Sequence, residues 1–180
     1  MADLRFSLTR HGVTVERLAP ERVVVIRVRN SDAAAVARVE EVLGEMLPTT
    51  PNAAGAHHGG SICWLSPGEW MVVGEGIDVS ALTGAIAPAT GHVADIGEGR
   101  VRYRIEGDFT AYVLTKGTSL DLAAALSEGR CAQTLFAQIL VLLAPYGAGY
   151  EMTADISYAH YLETWFEDAT REFVAGAFAS

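Results

Sequence analysis

Hydrophobic positions along the chain switch repeatedly between a period near two and a period near 3.6, and the switches mark its elements. Val23, Val24, Val25, Ile26 and Val28 form a β-branched run over 22–29, the pattern of a strand covered on both faces. Val36, Val39, Leu43, Met46 and Leu47 then recur at helical spacing, with Arg38, Glu41 and Glu45 on the other side. Ser31 or Asp32 is the candidate cap of that helix and Pro48 its stop. Residues 48–60 read as a surface loop. Two short apolar runs, 61–65 and 70–73, flank Ser66-Pro67-Gly68-Glu69, where Pro then Gly suits the centre of a type II turn. A short helix over 78–87 and a strand over 92–96 complete the order strand, helix, strand, strand, helix, strand. That is the split βαβ, or ferredoxin-like, unit.

The order partly recurs. Over 100–106, Val101, Tyr103 and Ile105 alternate with Arg100, Arg102 and Arg104. A short helix over 108–115 is closed by Gly117. Residues 132–143 read as one long strand and 150–156 as another. A final helix from about Ser157 carries Tyr158, Tyr161, Leu162, Trp165, Ala169 and Phe173 on one broad face. The expected fold is α+β, with two ferredoxin-like βαββαβ-type halves over 1–97 and 98–180.

Composition narrows the function classes. The chain of 180 residues holds 22 acidic and 13 basic side chains, a net charge of −9 at pH 7. Such a surface repels phosphate backbones, so neither nucleic acid nor an anionic membrane is an expected partner. The longest apolar stretch, 135–145, is interrupted by Gln138 and is too short to span a bilayer. The first ten residues lack the apolar core of a signal peptide. Cys63 and Cys131 sit in apolar settings without CxxC spacing and read as buried free thiols, although a disulfide between them stays open. Together these features predict a soluble, cytoplasmic globular protein.

Candidate chemistry is sparse. Gly74-x-Gly76, Gly97-x-Gly99 and Gly147-x-Gly149 each lack the third glycine of a dinucleotide loop, so they read as turn glycines. His57-His58 lies in a loop without further ligands, and the single His160/Glu163 pair lacks the repeat that a di-metal bundle needs. Neither cysteine has a basic neighbour to lower its pKa, and no serine lies in a GxSxG elbow. Arg100, Arg102 and Arg104 are the candidate site. Three cations on one strand face read either as a solvated or protected edge, or as a docking stripe for a partner's carboxylates. The aromatic stripe Tyr158, Tyr161, Trp165, Phe166 and Phe173 reads as core, with one side left for a partner.

Several ordered blocks carry a family resemblance. They begin with Trp64-Leu65-Ser66-Pro67 and Glu69-Trp70, then Asp95, Gly99-Arg100, Arg104-Ile105 and Gly107. Val113-Leu114, Lys116-Gly117 and Leu120-Asp121-Leu122 follow, then Cys131-Ala132-Gln133-Thr134-Leu135 and Val141-Leu142-Leu143. Ser157, Ala159, Tyr161-Leu162, Trp165 and Asp168-Ala169 close the series. On these blocks, over about 110 residues, the chain resembles the gamma subunit of heterotetrameric sarcosine oxidase. It departs from the family pattern at Ile96-Gly97-Glu98, Thr118-Ser119 and Ile156-Ser157-Tyr158, so a related N-methyl amino acid oxidoreductase is a second possibility.

The resemblance implies a fold like part of the glycine-cleavage T-protein (aminomethyltransferase). It also implies a complex with larger alpha and beta flavoprotein subunits and a small delta subunit. Such a complex carries FAD, FMN and NAD, oxidises sarcosine and passes the one-carbon unit to tetrahydrofolate. No family catalytic, cofactor or metal residue maps onto this chain, so a non-catalytic role is expected. Two competing readings are a free-standing folate-dependent transferase, with Asp95 or Asp155 as its acid, and a small-ligand regulatory module.

Overall fold

The computed structural model describes residues 6–10, 12–29, 32–58 and 60–173. Its strands are β1 (Ser7–Arg10), β2 (Val13–Arg17), β3 (Val23–Val28), β4 (Ala54–His57), β5 (Gly60–Ser66), β6 (Glu69–Val73), β7 (Gly91–Asp95), β8 (Arg100–Glu106), β9 (Ala132–Phe136), β10 (Ile139–Tyr146) and β11 (Gly149–Asp155). Its helices are α1 (Ala33–Leu43), α2 (Val79–Ala85), α3 (Thr110–Gly117), α4 (Leu122–Ala125) and α5 (Ala159–Ala169). They form two compact units. One holds residues 21–98 and 129–131; the other holds the described residues up to Pro20, 99–128 and 132–173.

In the first unit all strands run antiparallel in the order β4-β5-β6-β3-β7. With α1 between β3 and β5 and α2 between β6 and β7, this is the expected split βαβ arrangement. Val24, Ile26, Ile62 and Val72 form the sheet side of the core, and Val39, Leu43 and Leu82 the helix side. Removal of each such side chain from water contributes roughly 1.5–3 kcal/mol. Asp32 caps α1 by accepting the Ala35 N–H at 2.9 Å, while Ser31 lies outside the described residues. The helix stops at Gly44, in the left-handed region, four residues before the expected stop at Pro48. Met46 therefore leaves the helical stripe and stands 78% exposed, whereas Leu47 remains buried.

Residues 54–57, expected within a loop, form the edge strand β4, because backbone pairing with β5 supplies what Ala54, Gly55 and Ala56 lack in side-chain propensity. The β5–β6 turn matches its expectation. Gly68 has φ 75°, as the third position of a type II turn requires.

The second unit has the antiparallel order β1-β2-β8-β11-β10-β9. The N-terminal strands join this sheet through Val15↔Ile105 and Arg17↔Tyr103, whereas a cut between 97 and 98 groups them with the other half. Inward positions Val101, Tyr103, Ile105, Leu143 and Met152 pack with Val113 and Leu114 of α3 and Leu162 and Phe166 of α5. The single strand expected over 132–143 is a hairpin. Ala137 (φ 48°) and Gln138 (φ 69°) turn the chain, and Phe136 pairs with Ile139. Two consecutive positive φ values give the type I′ geometry that suits strand twist, but here without the usual Asn-Gly signal. The turn is held by Ala137 N–H to the Gly117 carbonyl (2.8 Å) and Tyr161 O–H to the Ala137 carbonyl (3.0 Å).

Candidate functional site

Strand alternation on β8 sends Val101, Tyr103 and Ile105 into the core and aligns Arg100, Arg102 and Arg104 on the other face. The register sets Arg100 opposite Asp155, Arg102 opposite Thr153 and Arg104 opposite Glu151. The three guanidiniums meet carboxylates of their own sheet. Arg100 Nη1 donates to Asp155 Oδ2 at 3.1 Å, Arg102 Nη2 to Glu151 Oε2 at 2.7 Å, and Arg104 Nη2 to Glu151 Oε1 at 2.9 Å. Arg104 also lies 3.9 Å above the Tyr146 ring centroid. Arg102 is 8% exposed and Arg100 and Arg104 are half-buried, so the row is an internal ion network with two open ends. The four-residue spacing of Glu151 and Asp155 on β11 equals that of Arg104 and Arg100 on β8, and was the signal for this pairing.

The other candidates separate. Glu163 turns inward, where its Oε1 accepts from Tyr103 O–H (3.1 Å) and Arg17 Nη1 (3.4 Å), while His160 is exposed. Burial first, and the Glu163 charge second, raise the Tyr103 pKa well above the usual phenol value. Among the described residues no group of three or more His, Cys, Asp or Glu side chains is placed to hold a metal ion. His57 is 2% exposed, neither ring nitrogen has a hydrogen-bond partner, and burial holds its pKa below the ordinary imidazole value. Cys63 and Cys131 are both buried free thiols; the hydrogen bond to Cys63 and burial push the Cys131 thiol up.

Asp95 and Asp155, the acids a transferase reading needs, are not buried. Asp95 pairs with Arg22 at 3.3 Å. The Ser157 hydroxyl and N–H, then Arg100, hold the Asp155 carboxyl below its ordinary value. At Gly74-x-Gly76 the chain runs from β6 into α2, but the Asp78 carboxylate already accepts the Ala81 N–H there at 2.9 Å. An anionic cap thus already occupies that helix start. Gly97-x-Gly99 forms a 3-10 turn and Gly147-x-Gly149 closes the β10–β11 hairpin.

Sequence reasoning missed a groove in the first unit. Ala33, Val36, Ala37 and Glu40 of α1 form one wall; Trp64, Pro67, Gly68 and Trp70 of the β5–β6 hairpin form the other, with Thr49 and Pro51 at one end. Its volume is about 470 Å³. Trp70 is fixed by an Nε1–H bond to the Pro48 carbonyl at 2.7 Å, and the Pro67-Gly68 turn sets the hairpin tip. The Trp64–Trp70 motif was visible in sequence, but the matching face of α1 was not.

The model of the sarcosine oxidase, gamma subunit family matches residues 27–172. A sarcosine oxidase subunit gamma from Arthrobacter sp is 28% identical over 145 residues, covering 77% of this chain and 71% of that protein. A chain of the heterotetrameric sarcosine oxidase from Corynebacterium sp. U-96, solved in complex with pyrrole 2-carboxylate, superposes with a TM-score of 0.83 at 25% identity. That match covers 93% of this chain and 88% of the other. The glycine cleavage system aminomethyltransferase T from Bartonella henselae shares the fold, with a TM-score of 0.62 at 14% identity over 88% of this chain and 46% of that protein. Among the described residues no helix is long and apolar enough to cross a membrane.

Proposed function

The chain belongs to the sarcosine oxidase gamma subunit family, and from that membership we propose that it is a non-catalytic structural subunit of a heterotetrameric oxidase. Its partners in this reading are the larger alpha and beta flavoprotein subunits and a small delta subunit, in the cytoplasm. Those partners hold FAD, FMN and NAD, which supply the redox chemistry that demethylates sarcosine, and they pass the one-carbon unit to tetrahydrofolate. The observation that carries the reading is likeness over nearly the whole chain to one chain of a heterotetrameric sarcosine oxidase.

The chemistry of the side chains supports a structural role. Glu151 and Asp155 are committed to arginines, Glu163 to Tyr103 and Arg17, and the Cys131 thiol is held protonated. In the arginine row Arg102 is an internal anchor. Arg100 and Arg104 are the docking positions, because a guanidinium oriented by one carboxylate keeps further donors for a second.

Co-expression with the neighbouring oxidase genes, and purification on a tag carried by this chain, tests the proposal. A yellow complex with stoichiometric partners is expected, together with a colourless isolated chain. A wild-type chain that copurifies with no flavoprotein, or that alone turns over N-methyl amino acids, overturns it. Unchanged assembly of the R100S/R104S variant in moderate salt removes the docking role of the row.

A further inference from the structure

The groove between α1 and the β5–β6 hairpin lies outside the ion network; Trp70 anchors its floor in the core, with Val36 and Trp64 packed beside it. We propose that it is a docking site for an extended segment of a partner oxidase subunit, one that inserts an apolar anchor and places a lysine or arginine beside Glu40. This rests on the subunit reading above.

Three features select that occupant. The walls are apolar and aromatic, and tryptophan-lined, preformed depressions are where interfaces concentrate their binding energy. Glu40 is the single charged residue of the lining. Its Oε1 accepts the Leu47 N–H at 2.9 Å, which orients the carboxylate and leaves Oε2 for an incoming cation. Glu40 is half-buried. An occupant that takes its carboxylate out of water without a counter-charge incurs a desolvation cost, so the groove selects for a basic residue in whatever fills it. Charge also argues against a second copy of this chain, since two molecules of net charge −9 repel. A small polar ligand is disfavoured as well, because beyond the two indoles only Glu40 and Thr49 bring polar side chains to the lining.

The test uses the co-expressed complex with a photo-crosslinking benzoylphenylalanine at Ala37, an exposed lining position on α1. Mass spectrometry is expected to find one cross-linked partner-subunit peptide with a lysine or arginine close to the cross-link. In parallel, A37W fills the groove and E40Q removes its charge while keeping an oxygen for the Leu47 N–H. Each is expected to lower partner recovery roughly tenfold or more, while circular dichroism and the melting temperature of the free chain stay near wild type. A cross-link to a second copy, no cross-link from an assembled complex, or full recovery with both variants overturns the inference and leaves the subunit reading intact. Failure of the wild-type chain to assemble overturns both.

Discussion

Arg102 and Glu151 meet at 2.7 Å although neither is the other's register partner, because Arg102 stands opposite Thr153 and Glu151 opposite Arg104. The Glu151 carboxylate thus spans a diagonal and a direct neighbour, one oxygen for each arginine. Such diagonals are within reach of long side chains on a sheet. Glu151 holds both arginines from a nearly buried position, so E151A removes two charge-assisted hydrogen bonds at once. We expect a loss of roughly 1–3 kcal/mol in urea unfolding. R104A, which removes a half-buried partner and leaves Glu151 paired, is expected to cost about 1 kcal/mol.

The β9–β10 turn carries a removable strain. Gln138 holds φ 69° with an exposed side chain. A left-handed conformation costs a non-glycine residue roughly 1–2 kcal/mol, against roughly 0.5–1 kcal/mol of extra chain entropy for glycine. Q138G is therefore expected to raise stability by about 0.5–1 kcal/mol, read as a higher urea midpoint at unchanged m-value. A lower midpoint contradicts the turn geometry.

Close packing at Gly117 gives the opposite sign. A Cβ there lies 2.4 Å from Phe136 Cε2, inside van der Waals contact. G117A is expected to destabilise by roughly 1–3 kcal/mol through overpacking, and F136L in the same chain to recover part of it. Thermal melts of the single and double variants measure this.

Burial of neutral His57 predicts an acid-side loss of stability. Its folded-state pKa lies below the unfolded value of about 6.5, so the unfolded chain binds the proton more tightly. The His57 term is absent well above pH 6.5 and turns destabilising as pH falls through that value, until the folded pKa is reached. H57N is expected to flatten the slope of unfolding free energy just below pH 6.5. An identical slope in wild type and variant contradicts the assignment.

Thiol reactivity follows from the same logic of burial. Cys131 is fully buried with its pKa pushed up, and Cys63 is buried beside it in the same unit. Only the thiolate attacks a disulfide reagent. In native buffer both thiols are expected to react with Ellman's reagent only as fast as the chain opens, and in full denaturant at once. Rapid native labelling contradicts this.

Local pattern by itself determined the strand over 22–29, α1 with a cap at Ser31 or Asp32, the Pro67-Gly68 turn and the inward face of β8. Each depends on periodicity or on dihedral limits of a few consecutive residues. The α+β class and the split βαβ order followed from the succession of those periods. Other features only tertiary contact decided. Ala54–His57 became a strand because β5 offered backbone partners, and β2 crossed to β8 because Val15 found Ile105. Ala137 and Gln138 bent into a turn that their own propensities oppose, held by Gly117 and Tyr161. The arginines of β8 were legible as a cationic row, but their meaning lay on another strand. Glu151 and Asp155 reach them only through sheet register, and register is set by which faces are buried across the whole unit. The groove is the same case, since Glu40 and Trp64 become neighbours only after α1 packs on its sheet. A single chain segment carries its periodicity wherever it goes, but charge pairing and concavity are properties of two segments brought together.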